Sequence, residues 1–348
     1  MQRSSLLKSG LLVLIVTVLS MTGWEIYLRT HSVGVSYDDG GSLWSDKRAQ
    51  VYEPADKATV FIGSSRNKYD LDIATWQALT GDHVIQLAIE GASPLPILDD
   101  LANDKNFKGK LVVDVTEGLF FSTAGDNLSE PNTRIEYYKK LTPAQRFSLG
   151  VDRVLESQLV FLDKSNFSLN AMLDKLLIPN RPGVFTPRIF PMEFGRVTFE
   201  RQDFMTKRFV ADTNLQNEVK SIWYFYSQLP SDPPASGSKL DSIINSVKTD
   251  VDKIKTRGGQ VLFVRTPSSG TYLQAEIKGF PREQYWERLL STTNCPGIHF
   301  ADYPAIDHFQ CPEFSHLKPA DAIVFTKNLV EILQKEKGWS FPHQTANN

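Results

Sequence analysis

Residues 60–67 read V-F-I-G-S-S-R-N, and this stretch decides how the rest of the chain is interpreted. The apolar run from Thr59 to Ile62 predicts a buried strand that stops abruptly at Gly63. Two hydroxyl residues and an arginine follow. A serine at the carboxyl end of the first strand of an open α/β sheet lies on the edge where such sheets bind ligands. Ser65 is therefore the candidate nucleophile, and an ordinary polar strand-to-helix loop is the alternative.

Apolar strands and helices are predicted to alternate in two parts of the chain. A stretch without this pattern separates the two parts. The first part is predicted to contain the strand at Thr59–Ile62, a helix at Asp72–Leu79, a strand at Val84–Ile89, a helix at Ile97–Ala102 and a strand at Leu111–Val115. The second part is predicted to contain a helix that begins near Ser238, a strand at Gln260–Arg265, a helix at Pro281–Leu290, a strand at Ile298–Phe300 and a helix at Leu317–Leu333. Strands that are apolar on both faces and alternate with helices predict an α/β fold with a parallel sheet.

The pattern predicts six segments. They are an N-terminal anchor (1–29), a connector (30–57), the first half of the α/β domain (58–122), a mostly helical insertion (123–237), the second half (238–337) and a tail (338–348). Helices at Leu141–Leu162 and Leu169–Leu177 are expected in the insertion. Its aromatic residues either form a satellite core or line a substrate groove or lid, and they are Phe185, Phe190, Phe194, Phe199 and Phe204.

The amino terminus carries a membrane signal. No charged residue occurs from Ser9 to Trp24, while Arg3 and Lys8 precede this stretch. Its 16 residues would span roughly 24 Å as a helix, against a hydrocarbon core of ~30 Å, and Lys8 can extend its charge to the interface. We expect a single-pass anchor in the cytoplasmic (inner) membrane, with a cytoplasmic amino terminus and an extracytoplasmic (periplasmic) domain. A cleaved secretory signal is the alternative.

The net charge, the spacing of the histidines and the number of cysteines bear on the partners, metals and disulfides to be expected. The formal net charge of −2 gives no reason to expect a nucleic-acid partner. His299, His308 and His316 lack regular ligand spacing, so no metal is expected, and no cofactor motif is present. Cys295 and Cys311 could close a 17-residue loop, which would stabilise the fold by about 3 kcal/mol. A disulfide between them is the hypothesis, and two free buried thiols are the alternative.

A second chemical element precedes the last helix, where residues 311–317 read C-P-E-F-S-H-L. His316 follows the last strand, and Glu313 lies three residues upstream. In a parallel sheet the loops that follow the strands share one edge, so this loop and the Ser65 turn can meet although they are 251 residues apart. A serine nucleophile needs a base, and the base needs an acceptor on its other nitrogen. Ser65, His316 and Glu313 are predicted to fill these roles.

Three short motifs in the α/β domain resemble those of a known enzyme family. Gly63-Ser64-Ser65 after a strand, Gly91 in A-I-E-G-A-S-P, and E-F-S-H-L before the last helix resemble blocks one, two and five of the SGNH (GDSL) hydrolases. More narrowly, the chain resembles the membrane-anchored branch that moves acyl groups on envelope polymers, including proteins of alginate acetylation and of teichoic-acid D-alanylation. The resemblance implies a three-layer, flavodoxin-like fold. It also implies Ser65 as nucleophile, His316 as base and Glu313 as orienting acid.

The resemblance also implies oxyanion donors, namely the backbone N–H groups of Ser65 and Gly91. The chain departs from the family pattern at Ser64 and Glu313, where the family has Asp, and it lacks the third block. The segment Asp114–Gly118 occupies that place, and Thr116 is the candidate replacement for the third donor.

Two arginines adjoin the predicted site. Arg66 follows the nucleophile, and Arg265 ends a strand, so both are candidates for binding an anionic glycan. Internal ion pairs with Glu90 or Glu117 are the alternative.

The expected function is that of an esterase or O-acyltransferase acting on a cell-envelope saccharide. The alternative is an inactive SGNH-like protein that binds a glycan or a membrane-bound acyltransferase partner. A structural envelope scaffold is a third class.

Overall fold

The computed structural model describes residues 2–176, 186–229 and 232–342. In these ranges the strands are β1 (Ala58–Ile62), β2 (His83–Gln86), β3 (Lys110–Asp114), β4 (Arg196–Val197), β5 (Asp203–Phe204), β6 (Gln260–Arg265) and β7 (Gly297–His299). The first eight helices are α1 (Gln2–Thr30), α2 (Gly41–Ala49), α3 (Ser65–Asp70), α4 (Ile73–Thr80), α5 (Leu95–Asn103), α6 (Glu117–Phe120), α7 (Gly125–Lys139) and α8 (Pro143–Glu156). The later helices are α9 (Lys164–Phe167), α10 (Leu169–Asp174), α11 (Lys207–Ala211), α12 (Thr213–Ser227), α13 (Gly237–Thr256), α14 (Gly270–Gly279), α15 (Arg288–Thr293) and α16 (Pro319–Glu336). Short 3₁₀ turns occur at Val160–Leu162 and Phe300–Asp302, and a π turn at Glu283–Glu287.

Five strands form one parallel sheet in the order β2-β1-β3-β6-β7. Phe61 pairs with Gln86 on one side and with Val112 on the other, so β1 lies inside the sheet. β4 and β5 form a separate antiparallel pair. The predicted α/β fold with a parallel sheet is therefore confirmed.

Alternate residues of each strand feed two different cores. Val60 and Ile62 belong to the core that α5 and α13 cover, whereas Phe61 belongs to the core that α4 and α16 cover. Because side chains point alternately to the two faces of a strand, the sheet is buried on both faces. This double burial is why the strands read as continuous apolar runs.

Local signals account for several helix boundaries. Asp72 caps α4 by accepting a hydrogen bond from the Thr75 N–H at 2.8 Å, and α4 ends at Gly81, whose φ of 73° suits a glycine. The predicted strand Gln260–Arg265 has the bounds of β6. Helix α13, predicted to begin near Ser238, begins at Gly237, with Ser236 as its N-cap.

The chain forms two compact units. One contains Met1–Asp38 and Ala144–Pro187, and the other contains Asp39–Pro143 and Arg188–Asn348. The segment predicted as an insertion, 123–237, is thus divided between them. The predicted connector, 30–57, is also divided: its second half contains α2, whose Trp44 is fully buried and donates to the Leu87 carbonyl at 3.0 Å. This part of the predicted connector is wrong, because an indole buried in the sheet core belongs to the domain.

The smaller unit contains α1. Ser5–Thr30 is 26 residues of apolar helix and 11% buried, so it is long and apolar enough to cross a membrane. At 1.5 Å per residue it extends about 39 Å, well beyond the 24 Å expected from its uncharged stretch alone. The helix predicted at Leu141–Leu162 ends as α8 at Glu156, and α10 ends at Asp174. The predicted end at Leu177 lies outside the described residues.

The two cysteines are free and buried. Cys295 packs in the core on one face of the sheet, and Cys311 packs in the core on the other face. The predicted disulfide is therefore wrong, because the sheet separates the two thiols. Burial raises the pKa of both thiols, as expected for inert structural cysteines.

Candidate active site

Ser65 is positioned by the turn that follows β1. Gly63 has no room for a side chain, because a Cβ there would lie 2.5 Å from the Asp114 Cβ and 2.9 Å from the Asn67 Cβ. Ser64 is the N-cap of α3 and accepts a hydrogen bond from the Arg66 N–H at 3.4 Å. Ser65 is then the first residue of the helix and is half-buried. Its backbone N–H has no acceptor within the helix, as for every first-turn residue.

The turn is fastened to the end of β3. The Ser64 hydroxyl lies 3.1 Å from Asp114 Oδ2 and 2.7 Å from Thr116 Oγ1, and the Thr116 hydroxyl donates to the same carboxylate at 3.0 Å. Burial raises the pKa of Asp114. Thr116 was predicted as an oxyanion donor, but its hydroxyl is engaged with Asp114 and Ser64. This hydroxyl links the turn after β1 to the end of β3.

The loop before α16 brings a histidine to this serine. His316 Nε2 lies 2.8 Å from Ser65 Oγ, and His316 Nδ1 lies 3.0 Å from Glu313 Oε1. The two residues that were 251 positions apart in the sequence therefore meet within hydrogen-bond distance. The structure brings together all three residues predicted as nucleophile, base and orienting acid.

Glu313 is fully buried but has many donors. Its Oε1 atom accepts from the N–H groups of Ser315 at 3.2 Å and His316 at 2.6 Å, and its Oε2 atom accepts from the Trp223 indole N–H at 2.5 Å. An ionised carboxylate can only accept hydrogen bonds, so Nδ1 of His316 is the donor in its contact with Glu313. In the tautomer that carries its proton on Nδ1, Nε2 is the acceptor that faces Ser65.

The loop that carries these groups is conformationally strained. Phe314, between Glu313 and Ser315, has a φ of 83°, which costs a non-glycine residue about 1–3 kcal/mol. The surroundings impose this conformation: the Phe314 carbonyl accepts from the Ser269 N–H at 2.8 Å, and its ring lies directly against Gly270. A Cβ at Gly270 would lie 2.5 Å from that ring, so a glycine is needed there.

Aromatic side chains enclose the imidazole. The His316 ring centroid lies 4.5 Å from that of Tyr69, 5.6 Å from that of Phe194 and 6.2 Å from that of Trp223. Tyr69 and Phe194 belong to a third core, against which Phe190 packs. The prediction of a satellite core is confirmed for Phe190 and Phe194. Phe185 lies outside the described residues.

Sequence reasoning missed Trp223. It lies on α12, 90 residues from Glu313, in a stretch with no α/β pattern. The aromatic richness of this stretch was the available signal, although nothing in it distinguishes an indole that donates to a carboxylate from one that only packs.

The two predicted substrate arginines are buried and paired. Arg66 pairs with Glu276 at 2.5 Å, and Arg265 pairs with Glu276 at 2.5 Å and with Glu117 at 3.0 Å. Burial raises the pKa of Glu276, but the two guanidinium groups outweigh it and lower that pKa to about 2. With 1% and 2% exposure the arginines do not reach the surface. Their predicted role in substrate binding is therefore wrong, and internal ion pairing, the alternative, is what the structure has.

Gly91 lies in an exposed turn after β2 with a φ of 63°. The preceding residue, Glu90, pairs with Lys68 of α3. The turn that carries one predicted oxyanion donor is thus tied to the helix that begins with Ser65. The role of the Gly91 N–H as an oxyanion donor stays a prediction.

Asp70 is a further acid beside the histidine loop. Its Oδ1 atom accepts from the Leu317 N–H at 2.8 Å, and burial raises its pKa to about 7, although His316 lowers it in part. In the part of the chain that the structure describes, no group of three or more His, Cys, Asp or Glu residues could hold a metal ion.

No protein-family model matches this chain, and no curated protein sequence matches it significantly.

Proposed function

We propose that this chain is a membrane-anchored, SGNH-like serine esterase or O-acyltransferase that acts on an ester-linked acyl group of a cell-envelope saccharide. The observation that carries the proposal is the continuous hydrogen-bonded chain Ser65–His316–Glu313, with distances of 2.8 and 3.0 Å. An alcohol, an imidazole with one nitrogen facing it and a buried carboxylate at the other nitrogen are the parts of a serine nucleophile system.

The fold supports the same proposal. Numbered within the sheet alone, the strand order is 2-1-3-4-5, which is the flavodoxin-like order expected for the SGNH class. In such sheets ligands bind beyond the carboxyl ends of the strands where the order reverses, and this point lies between β1 and β3. Ser65 follows β1 and Thr116 follows β3, so the candidate nucleophile lies at the favoured position.

The first half of the reaction follows from the tautomer of His316. Ser65 Oγ attacks the carbonyl carbon of the ester while His316 Nε2 takes the hydroxyl proton. Glu313 accepts the Nδ1–H and stabilises the imidazolium that forms. The negative oxygen of the tetrahedral intermediate is stabilised by backbone N–H groups, for which Ser65 and Gly91 are our candidates.

The second half reverses the proton path. The imidazolium donates its proton to the departing alkoxide oxygen, which releases the saccharide alcohol and leaves an acyl-Ser65 ester. A water molecule or a second saccharide hydroxyl then loses its proton to His316 and attacks the acyl carbon. The bond from this carbon to Ser65 Oγ breaks, and Oγ takes the proton back from the imidazolium. Water gives hydrolysis, and a saccharide hydroxyl gives acyl transfer.

The membrane setting supports an envelope substrate. α1 is long and apolar enough to cross a membrane, and Arg3 and Lys8 precede its uncharged stretch. The positive-inside rule then favours a cytoplasmic amino terminus in the inner membrane and an α/β domain on the periplasmic side. A saccharide of the cell envelope is the polymer that a domain so placed would meet.

Covalent trapping tests the proposal. The full-length chain in detergent micelles is incubated with a fluorophosphonate probe, which phosphonylates activated serines, and the modified peptide is identified by mass spectrometry. We expect the modification on Ser65, its loss in Ser65→Ala, and its retention in Ser221→Ala, which changes an exposed serine of α12. A folded chain that is not modified and does not turn over an aryl acetate would overturn the proposal. Saccharide binding by such a silent chain would support the inactive relative instead.

A further inference from the structure

Helix α8 has an apolar face that no described residue of the chain covers. Phe147, Val151, Val154 and Leu155 recur at the spacing of one helical face, and all four are exposed, Phe147 by 76%. On a surface helix of a soluble protein, such an apolar face normally packs against the core. Here only Glu156 of the helix is buried, so the apolar face is turned outward instead.

Helix α10 repeats this arrangement. Leu169, Met172 and Leu173 and the following Leu176 are exposed at spacings of three and four residues, Leu169 by 72%. Both helices belong to the unit that contains α1, and most of the apolar surface of α1 is exposed as well. Large exposed apolar residues of the described chain are thus concentrated in the unit that contains the membrane-spanning candidate.

The end of α1 is fastened to the segment between these two helices. The Glu25 carboxylate accepts hydrogen bonds from the backbone N–H groups of Val160 at 3.0 Å and Phe161 at 3.1 Å. Arg29 donates to the Gln158 carbonyl at 2.6 Å, and the Trp24 ring meets the edge of Phe167 with centroids 6.1 Å apart. The chain from Gln158 to Phe167 therefore lies at the level of the last two turns of α1.

That level is the membrane surface if α1 crosses the bilayer. Trp24 and Tyr27, whose rings are stacked 5.5 Å apart, are the aromatic types that prefer the headgroup region. α8 has 14 residues and would extend about 21 Å, too short to cross the hydrocarbon core. A short helix with an outward apolar face at this depth has the properties of one that lies in the interface plane.

We propose that α8 and α10 lie on the lipid bilayer, with their apolar faces inserted among the headgroups on the side where α1 emerges. Lipid is the occupant that the structure favours, because the same lipid that surrounds α1 is continuous with these faces. The unit would then be held by three contacts with the membrane rather than by one flexible tether. The inference depends on α1 as a membrane helix and not on the catalytic proposal.

Depth measurements with nitroxide labels on single cysteines test this inference. The full-length chain is reconstituted in nanodiscs of phosphatidylcholine and phosphatidylglycerol, and the labels replace Phe147, Val154 and Leu173 in separate variants (Phe147→Cys, Val154→Cys, Leu173→Cys). Collision rates with oxygen, which dissolves in lipid, and with a water-soluble nickel complex report the depth. We expect all three labels about 5–10 Å inside the headgroup boundary.

Three control labels define the outcomes. Arg146→Cys, beside the apolar face, and Tyr224→Cys, on exposed α12, should report water, whereas Val16→Cys should report the hydrocarbon core. Water-like values at 147, 154 and 173 with a deep Val16 label would overturn the inference. Labels that neither reagent reaches would also overturn it, because a protein would then cover the face. A shallow Val16 label would overturn the membrane role of α1 itself.

Discussion

Two neighbouring residues at the start of α3 lie in very different surroundings. Ser65 is half-buried and faces a histidine at 2.8 Å, whereas Arg66 is 1% exposed and is locked against Glu276 at 2.5 Å. One step along a helix turns the side chain by about 100°, so adjacent residues enter different surroundings. The comparison shows that a position beside the nucleophile does not make a residue part of the substrate site.

The two clusters differ in what their charges do. In the cluster of Ser65, His316 and Glu313, the carboxylate holds an imidazole whose other nitrogen faces a hydroxyl. In the second cluster the guanidinium groups of Arg66 and Arg265 pair with two buried carboxylates, those of Glu276 and Glu117. We therefore expect substitutions in the first cluster to change turnover and substitutions in the second to change stability.

Ser65→Ala should have the largest effect. Because loss of a serine nucleophile removes the covalent step, turnover of an aryl acetate should fall by about 10⁶-fold. Unfolding should change little, since the substitution removes one half-buried hydroxyl. Steady-state kinetics and thermal unfolding of the full-length chain in micelles measure both quantities. Retained turnover would assign the chemistry to another group.

Glu276→Gln should have the opposite pattern of effects, with a large loss of stability and little change in turnover per folded molecule. It leaves two buried guanidinium groups without their shared carboxylate, which should destabilise the fold by about 3–5 kcal/mol. Glu287→Gln, which removes an exposed partner of Arg282, should cost about 1 kcal/mol or less. Urea unfolding of the two variants gives the comparison. A large loss of turnover per folded Glu276→Gln molecule, with unchanged stability, would place the arginines in the substrate site after all.

Asp70→Asn should change the way in which the stability of the fold depends on pH. The pKa of Asp70 is about 7 in the fold and 3.8 as the ordinary value, so between these values the folded chain holds a proton that the unfolded chain releases. Raising the pH therefore removes stability, by up to about 4 kcal/mol across this window. Thermal unfolding at pH 4, 6 and 8 should show the wild type falling relative to Asp70→Asn. Parallel pH profiles of the two chains would contradict this assignment.

The sequence was sufficient for the parts of the fold and site that follow from local patterns. Apolar runs located the parallel strands, and the rule that strand-to-helix loops share one edge placed Ser65 opposite His316. Glu313 was predictable as well, because it lies three residues from the histidine on the same loop. Each of these inferences needs only short spacings and the topology of the sheet.

Partners supplied by distant segments were not predictable. Glu276 is 210 residues from Arg66, and nothing along the chain marks it as the group that pairs with both arginines. The disulfide prediction failed for a related reason, because the length of a 17-residue loop does not reveal that the sheet lies between Cys295 and Cys311. α2 escaped notice because its buried residues are polar and charged as well as apolar: Ser45, Lys47 and Arg48 are buried together with Leu43 and Trp44, so no apolar face repeats along the helix.

Trp223→Phe should have the smallest effect and tests whether a distant segment serves the chemistry. The substitution keeps an aromatic ring near His316 but removes the N–H that donates to Glu313. A hydrogen bond to a charged group is worth about 1.5–3 kcal/mol, so kcat/KM should fall roughly tenfold to a hundredfold. Because the lost hydrogen bond concerns the orientation of the base and not the binding of the substrate, the fall should appear in kcat, with KM nearly unchanged.

Tyr224→Phe, which alters the next and exposed residue of α12, is the matched control for that variant and should leave both quantities unchanged. A purely structural indole would reduce the amount of active protein and leave kcat per folded molecule unchanged, because the histidine would keep its surroundings in every molecule that folds. A lower kcat per folded molecule would instead make Trp223 a positioning residue that acts through Glu313. Helix α12 would then belong to the machinery of Ser65, although it contains none of the three residues Ser65, His316 and Glu313.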